Sequence, residues 1–376
     1  MKNCLHFKKC SGCDFLDISY TKEIELKKSY VEKKIGMKVN NIYPSKEEYF
    51  YRNKLQLPFG LKSKNGKIQT TLGLHSRDLK EVIHLQECYI QDRDLTEISF
   101  LIRDWSIQNH ISVYHPKLVK GLLKYLLLRK SKYTSEILVC FVCNEFPKWN
   151  KSFIQTLVEK LKNYNIKGIF ININPKNTKM VLGDQLKLIY GEPYLDEIIM
   201  GNQFIIGINT FLQINSFQSE KMYEYVYNLI TPVKTIYDIY SGIGTLSLYL
   251  SKKAKTLIGI EYNPESVHLA NLAKKKNSIK NVKFISGDAG KILSKLKDSI
   301  DTMILDPPRV GLLGNMISII KQKQVKKIIY ISCDVDTLSR DLNQLRNFYK
   351  IKSVSVFDMF PKTIHIETVV ELEKLN

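Results

Sequence analysis

The segment IIYISCDVDTLSRDL, residues 328–342, joins a short apolar run to a cysteine and then to a helical pattern. Residues 328–332 are typical of a buried strand, and an aspartate-containing turn and an amphipathic helix follow Cys333. A thiol beside a helix N-terminus can have a lowered pKa, and the thiolate is the nucleophilic form. A single cysteine at a strand end is more often a small core residue, so the rest of the chain has to separate the two interpretations.

The predicted strands that lead up to Cys333 end in small and acidic residues. From about residue 206, apolar strands and helices alternate strictly, which predicts an open α/β sheet. Ligands of such sheets bind at the carboxyl ends of the strands. The residues at these ends are Gly242 and Gly244 in DIYSGIGT (238–245), Glu261, Asp288, Asp306 and Cys333.

The spacing of these residues indicates an adenosine-containing cofactor. Gly242 and Gly244 let the backbone approach a ligand where the strand changes into a helix. Glu261 follows Gly242 by 19 residues, where an acid that accepts the two ribose hydroxyls belongs. The turn reads G-x-G-T and lacks a diphosphate loop, which favours S-adenosylmethionine over NAD.

Composition places the chain among globular proteins with an anionic partner. It has 376 residues, 44% hydrophobic and 25% charged, which is enough for two or three domains. Its net charge of +20 favours nucleic acid, although lysine is abundant throughout the chain. Residues 1–9 contain no apolar signal-peptide core, and no apolar run is long enough to span a bilayer. We expect a cytoplasmic protein without a membrane segment, and nothing indicates an obligate protein partner.

The N-terminal residues contain a closely spaced cysteine pattern, C-x5-C-x2-C. An odd total of seven cysteines argues against a disulfide framework and for a metal or catalytic role. Three thiolates need a fourth ligand, and the cysteine in HLQECYI is the natural candidate, so the site is zinc or an iron–sulfur cluster. The predicted ligands are Cys4, Cys10, Cys13 and Cys88.

The N-terminal half has a mixed α+β pattern. Residues 17–36 predict an amphipathic helix, and alternating segments such as 49–60 predict strands. The second C-x2-C pair, Cys140 and Cys143, lies in an apolar strand without a turn residue and is interpreted as core. We predict a first domain at residues 1–205, which carries the cysteine site and assists RNA binding, and a catalytic domain at residues 206–376.

Six motifs in order resemble the RNA uracil-5-methyltransferase family, in particular its iron–sulfur 23S rRNA members. They are the cysteine pattern with Cys88, FLQINSFQ (211–218), DIYSGIGT (238–245), ILDPPRVGL (304–312), YISCDVDTLSRDL (330–342) and DMFPKTIHIETV (358–369). Many members begin with an extra small RNA-binding β-barrel, the TRAM domain, and this chain resembles the shorter members that lack it. The fold class that the resemblance implies is α/β, with a Rossmann-like methyltransferase domain after an N-terminal α+β domain that carries a Cys4 site.

The resemblance also implies roles for individual residues. Cys333 matches the nucleophile and Glu367 the general base of the family, and the four N-terminal cysteines match ligands of a structural [4Fe-4S] cluster. The family often has cysteine or asparagine at the positions of Ser241 and Thr245, in a loop that acts mainly through its backbone. The positions that match the S-adenosylmethionine and active-site set are Gln213, Tyr240, Gly242, Gly244, Thr245, Glu261, Asp288 and Asp306.

These residue types suit methylation of C5 of a uracil. Attack of a thiolate on C6 makes C5 nucleophilic, and a carboxylate then removes the C5 proton. The expected substrate is 23S rRNA. Alternatives are the T-loop uridine of tRNA, whose enzymes generally lack the cysteine cluster, and a non-catalytic metal-stabilised RNA-binding protein. An amino-methyltransferase is disfavoured because Arg309, rather than an aromatic residue, follows the D-P-P sequence.

Overall fold

The computed structural model describes residues 2–64, 66–176, 178, 180–296 and 299–375. Its helices are α1 (Tyr20–Ile35), α2 (Arg93–Gln108), α3 (Lys151–Lys160), α4 (Ser216–Leu229), α5 (Thr245–Leu250), α6 (Pro264–Lys276), α7 (Ala289–Lys295), α8 (Met316–Lys323) and α9 (Val335–Leu345). Its strands are β1 (Asn41–Tyr43), β2 (Lys54–Lys64), β3 (Lys67–Leu72), β4 (Leu123–Lys130), β5 (Ile137–Cys143), β6 (Ile166–Ile173), β7 (Gln185–Gly191), β8 (Leu195–Ile199), β9 (Asn202–Ile206), β10 (Val233–Ile239), β11 (Ala254–Glu261), β12 (Val282–Ser286), β13 (Thr302–Leu305), β14 (Lys327–Ser332), β15 (Tyr349–Phe357) and β16 (Glu367–Lys374). Within these described ranges, no helix is both long enough and apolar enough to cross a membrane.

The chain forms two compact units. The first unit consists of Met1–Ile18, Glu47–Glu197 and Ile206–Asn209. The second unit consists of Ser19–Lys46, Ile198–Ile205 and Thr210–Asn376.

The second unit contains an eight-stranded sheet in the order β1-β15-β16-β14-β13-β10-β11-β12. Strands β10 to β14 run parallel, whereas β16 lies antiparallel between β14 and β15. The central parallel strands are continuous apolar runs, as expected where helices cover both faces of a sheet. The predicted alternation of strands and helices is therefore confirmed, and the ends of β10, β11, β13 and β14 lie next to one another in the sheet.

Residues 19–46 belong to the second unit, which differs from the single boundary predicted near residue 205. Helix α1 places Val31 and Ile35 in the apolar core of that unit, and β1 pairs in parallel with β15 at the edge of its sheet. The sequence shows that α1 has an apolar face, but an apolar face alone does not identify the core that covers it. The first predicted domain therefore has to be corrected, because it includes a segment of the other unit.

The first unit is built on a six-stranded sheet in the order β3-β2-β4-β5-β6-β7. Its pairs are antiparallel except for β5 and β6, and α2 and α3 contribute Trp105 and Leu157 to the apolar core. Cys140 and Cys143 lie on β5 and are fully buried. Their predicted role as core residues is confirmed.

The assignment of α1 to the second unit can be tested by truncating one core side chain. Val31 is fully buried, so Val31→Ala is expected to lower the free energy of unfolding of the second unit by about 2 kcal/mol. Leu26 lies on the same helix but is 43% exposed, and Leu26→Ala serves as the matched control with a change near zero. Urea unfolding combined with hydrogen exchange measures both effects. Faster exchange in β2 and β4 rather than in β15 and β16 would show that the assignment is wrong.

Candidate active site and cysteine-lined cavity

The turn after β10 adopts a strained, left-handed backbone. Tyr240, Gly242 and Gly244 have φ angles of 68°, 56° and 80°. A side chain at Gly244 would also meet the ring of Phe284 at 2.5 Å, so glycine is required there on two grounds. A tyrosine in this conformation is uncommon and costs energy, and such strain concentrates at ligand-binding sites.

The carboxylate of Glu261 fixes this turn. One oxygen accepts a hydrogen bond from the Gly242 N–H at 3.0 Å, and the other accepts one from the Asn263 N–H at 2.8 Å. Asp238, at the end of β10, is buried and accepts a hydrogen bond from Ser247. Burial, and then the charge of Glu261, raises the pKa of Asp238 to about 7. The turn is therefore held by carboxylates that a cationic ligand would stabilise.

Asp288 follows β12 and lies in the same electrostatic environment. Its side chain accepts a hydrogen bond from the Lys291 N–H at 2.8 Å and so caps α7. Burial raises the pKa of Tyr240 to about 12, and the charge of Asp288 is the next cause. Thr245 begins α5 and donates a hydrogen bond to the hydroxyl of Tyr223 at 3.3 Å. Six of the cofactor positions suggested by the resemblance, from Tyr240 to Asp288, thus lie at or just after the ends of β10 to β12, whereas Asp306 follows β13 and Gln213 precedes α4.

The register of β14 and β16 brings Cys333 and Glu367 together. Ser332 pairs with Thr368 in this antiparallel ladder, so the next position in the same register has Cys333 opposite Glu367. Glu367 is 2% exposed and accepts a hydrogen bond from the side chain of Gln213. Its second oxygen, Oε2, has no hydrogen-bond partner among the residues that the structure describes. A buried carboxylate oxygen without a partner is costly unless a ligand or a proton satisfies it.

Three carboxylates interact with one another at this point. Burial, and then the charge of Asp306, raises the pKa of Glu367 well above its ordinary value. Burial, and then the charge of Asp238, raises the pKa of Asp306 to about 7. Because like charges oppose ionisation, the group retains protons in the absence of a cationic ligand.

The pKa of Cys333 differs from the sequence-based expectation. Burial, and then the charge of Glu367, raises it to about 12, while the guanidinium of Arg309 acts in the opposite direction. The expected lowering of this pKa by α9 is wrong, because burial and the charge of Glu367 outweigh it. Asp334 accepts the Thr337 N–H at 2.9 Å, so the helix N-terminus is satisfied by its own cap.

The loop after β13 is anchored by a buried aspartate that the sequence analysis did not single out. Asp341 on α9 accepts hydrogen bonds from the Leu312 N–H at 2.8 Å and from the Tyr330 hydroxyl at 2.7 Å. A side chain at Gly311, whose φ is 74°, would meet Asp341 at 2.6 Å. This contact fixes the loop that carries Asp306 and Arg309. Tyr223 and Asp341 were both missed because neither occupies a strand end, although Asp341 interrupts the apolar face of an amphipathic helix.

All four predicted cysteine ligands line one small cavity in the first unit, together with Leu74 and Leu85. The Cys4–Cys13 loop is held against the segment that contains Cys88, because Glu87 accepts the Leu5 N–H at 2.6 Å and His6 accepts the Gln86 N–H at 3.0 Å. The cysteine thiols are free, and burial raises the pKa of Cys10 to about 11.

The geometry of this cavity does not match a single metal ion. In the described part of the chain, no three histidine, cysteine, aspartate or glutamate side chains are grouped closely enough to hold one. The guanidinium of Arg52 lies within electrostatic range of Cys13 and Cys88, and its Nε atom has no hydrogen-bond partner among the described residues. A half-buried cation therefore lies near thiols whose pKa values are raised by burial.

Known proteins resemble this chain in sequence and in fold. The model of the tRNA (uracil-5-)-methyltransferase family matches residues 148–375, which is more than half of the chain. A protein of Leptospira interrogans described as an uncharacterized RNA methyltransferase is 39% identical, covering 98% of this chain and 97% of its own. One from Clostridium acetobutylicum with the same description is 34% identical, covering 99% of this chain and 83% of its own.

A solved structure extends the similarity over both units. The tRNA (uracil-54, C5)-methyltransferase of Pyrococcus abyssi, in complex with S-adenosyl-L-homocysteine, superimposes with a TM-score of 0.80 at 25% identity. The match covers 96% of this chain and 86% of that one. Together with the sequence relatives, this shows that the chain is an RNA methyltransferase and belongs to the tRNA (uracil-5-)-methyltransferase family.

Proposed function

We propose that this protein transfers a methyl group from S-adenosylmethionine to C5 of a uridine in RNA, through a covalent bond between Cys333 and C6. The observation that carries the proposal is the register that sets Cys333 opposite the buried Glu367 at the ends of β14 and β16. A nucleophile and a base within one base-sized space are what addition at C6 and proton removal at C5 require.

Each residue has a defined task in this reaction. The thiolate of Cys333 adds to C6, and the electron pair of the C5=C6 bond moves to C5. C5 then forms a bond to the methyl group of S-adenosylmethionine, whose methyl–sulfur bond breaks so that S-adenosylhomocysteine leaves. Glu367 then accepts the C5 proton, and the returning electron pair expels the thiolate from C6. Arg309 stabilises the thiolate, since its charge opposes the effect of Glu367 and Asp306 on that thiol. The target base has to be unstacked from its RNA to enter the site.

We assign the binding of S-adenosylmethionine to the turn at 240–245 and the neighbouring strand ends. Glu261 has the position of an acid that accepts the ribose hydroxyls, and Asp288 lies at the next strand end. The sulfonium of this methyl donor is positively charged, and burial, followed by a neighbouring carboxylate, raises the pKa values of Asp238 and Asp306 to about 7. Its binding favours the ionised form of both carboxyls.

The proposed substrate is 23S rRNA, and tRNA is the second candidate. The four cysteines around one cavity support the rRNA assignment, because the resemblance associates this cluster with rRNA enzymes. The tRNA assignment is favoured by the structural match to a tRNA (uracil-54, C5)-methyltransferase over 96% of the chain. Either RNA suits the net charge of +20 and a cytoplasmic location.

We propose that the four cysteines hold a [4Fe-4S] cluster with a structural role. The donor set fits, because four free thiols line one cavity and the cation of Arg52 balances negative charge there. A cubane binds each thiolate to a different iron atom and so spreads them farther apart than one zinc ion does. This agrees with the lack of a single-ion geometry among the described residues. A bound cluster would cross-link the Cys4–Cys13 loop to Cys88 and leave no iron site open for chemistry.

The covalent step can be trapped with RNA that contains 5-fluorouridine. Fluorine at C5 cannot leave as a proton, so 23S rRNA or tRNA fragments incubated with enzyme and S-adenosylmethionine should form an adduct that survives denaturing electrophoresis. Cys333→Ala is expected to abolish the adduct, whereas Cys140→Ala, which removes a core thiol, should retain it. The adducted RNA identifies the substrate. Absence of an adduct with both RNAs would remove Cys333 as the nucleophile.

The role of Glu367 predicts a different phenotype, in which chemistry stops after methyl transfer. Glu367→Gln should accumulate a methylated covalent complex on ordinary uridine RNA, with turnover lowered by about 10²–10⁴. The raised pKa of Glu367 sets the pH dependence. The carboxyl takes up its proton at a higher pH than an ordinary glutamate does, so the wild-type adduct should persist longer as the pH is lowered. Gel-shifted, methyl-labelled RNA measures both effects, and equal adduct lifetimes in variant and wild type would exclude Glu367 as the base.

Removal of one proposed cluster ligand tests the metal assignment. Cys88→Ser is expected to lose most of the bound iron and the visible absorption of an anaerobically purified sample. Cys143→Ser, a core cysteine of the same unit, should retain both. Iron and sulfide assays, with zinc measured in parallel, distinguish a cluster from a zinc site. Stoichiometric zinc without iron in the wild type would replace the cluster by a zinc site.

A further inference from the structure

Two charged residues of helix α1 form a buried cluster with two charged residues of the segment between β15 and β16. Glu23 is fully buried and Lys27 is 3% exposed, and they meet Asp358 and Lys362, which are 0% and 1% exposed. Taking four charged groups out of water is costly unless each is paired, and such clusters add little net stability compared with apolar side chains. A cluster of this kind therefore calls for an explanation other than stability.

The contacts of the cluster join α1 to one irregular segment. The ammonium of Lys27 contacts a carboxylate oxygen of Asp358 at 2.6 Å and one of Glu23 at 2.8 Å. Glu23 also accepts the Lys362 N–H at 2.7 Å and contacts the Lys362 ammonium at 3.3 Å. Asp358 and Lys362 both lie in residues 358–366, which connect β15 to β16 and end immediately before Glu367. The cluster thus fixes the backbone that leads into Glu367.

A second line of contacts runs from the cluster to the partner of Glu367. The Tyr20 hydroxyl donates to Asp358 at 2.7 Å and accepts the Ser45 N–H at 2.8 Å. The Asn215 amide in turn donates to the Ser45 hydroxyl at 3.2 Å and to the Met359 carbonyl at 3.3 Å.

Asn215 holds the short segment that carries Gln213. Its side-chain oxygen accepts the Gln218 N–H at 3.2 Å, which caps α4 two residues after Gln213. Gln213 donates the hydrogen bond that Glu367 receives. Both routes from α1, through the 358–366 segment and through Asn215, therefore converge on the same carboxylate.

We infer that residues 19–46, together with Asn215, are a positioning element for Glu367. Tyr20, Lys27 and Asn215 act through residues 358–366 and Gln213 to orient this carboxylate toward the target uracil. The inference rests on the proposed function and adds residues that do not touch the substrate. The connection at residues 358–366 contains Lys362, which is fully buried and has a left-handed backbone with a φ of 67°. The inference explains why this irregular segment lies immediately before the proposed base, Glu367. Small displacements of such a group cost rate without loss of binding.

A single hydroxyl offers the sharpest test. Tyr20→Phe removes the link between Asp358 and Ser45 and leaves the aromatic ring, so the fold should survive. The matched control is Tyr30→Phe on the same helix, whose hydroxyl donates at 2.7 Å to Asp336 at the surface. The measurement is a single turnover on RNA labelled with tritium at C5 of uridine, with methyl-labelled S-adenosylmethionine, in full-length enzyme.

We expect Tyr20→Phe to transfer the methyl group at nearly the control rate and to release tritium about 10- to 100-fold more slowly. The methylated covalent complex should then accumulate. Asn215→Ala, which interrupts the second route, should have the same phenotype. Equal slowing of methyl transfer and tritium release, or wild-type tritium release in both variants, would overturn the inference.

The proposed function is judged in a separate arm of the same experiment. Wild-type enzyme and Tyr30→Phe must both form the 5-fluorouridine adduct. If the wild type forms none, the proposed reaction fails. If it does, and Tyr20→Phe and Asn215→Ala turn over like the control, only the positioning role fails.

Discussion

The second unit depends on the antiparallel insertion of β16 between β14 and β15. Side chains alternate between the two faces of a strand, so a shift of one residue in this register would move Glu367 to the opposite face of the sheet from Cys333. The register is well specified because β16 is buried between two neighbours along its first half. The proposed catalytic pair, Cys333 and Glu367, therefore depends on sheet pairing more than on either loop. Sheet pairing does not fix the irregular segment before β16, residues 358–366, and contacts with α1 hold it in place.

Electrostatics adds a second constraint, because the site concentrates acids where water is scarce. Asp238, Asp306 and Glu367 each have a raised pKa, and burial is the first cause of all three shifts. Ionised carboxylates that are buried without a counter-charge are energetically costly, and a bound cationic ligand would lower that cost. Burial, and then the charges of Glu367 and Asp306, also raise the pKa of Cys333 and so oppose ionisation of its thiol. In the proposed reaction, binding of the cationic methyl donor would therefore favour ionisation of the Cys333 thiol less than it favours ionisation of the carboxyls, because burial is the first cause of the raised pKa of the thiol.

Much of this could be predicted from the sequence because strand ends are visible in it. Apolar runs followed by Gly242, Glu261 or Asp306 correctly located β10, β11 and β13, whereas the order of these strands in the sheet comes from the structure. Three aspects could not be predicted. The unit to which α1 belongs depends on which core covers this helix. The pKa of Cys333 depends on burial and on carboxylates distant in sequence. Asp341 acts through contacts that no spacing reveals. Each of these is a tertiary property.

The chain order gives the cysteine cavity a further significance. The chain passes from the first unit to the second after residue 18 and returns to the first unit at residue 47. Cys13 precedes this inserted segment in the sequence, and Cys88 follows it. A group that joins those cysteines would close the loop that contains α1 and would lower the entropy of the unfolded chain. Stabilisation by such a group would thus favour the state in which α1 is folded. A group held by these cysteines would in this way contribute to the geometry of Glu367 without taking part in the reaction.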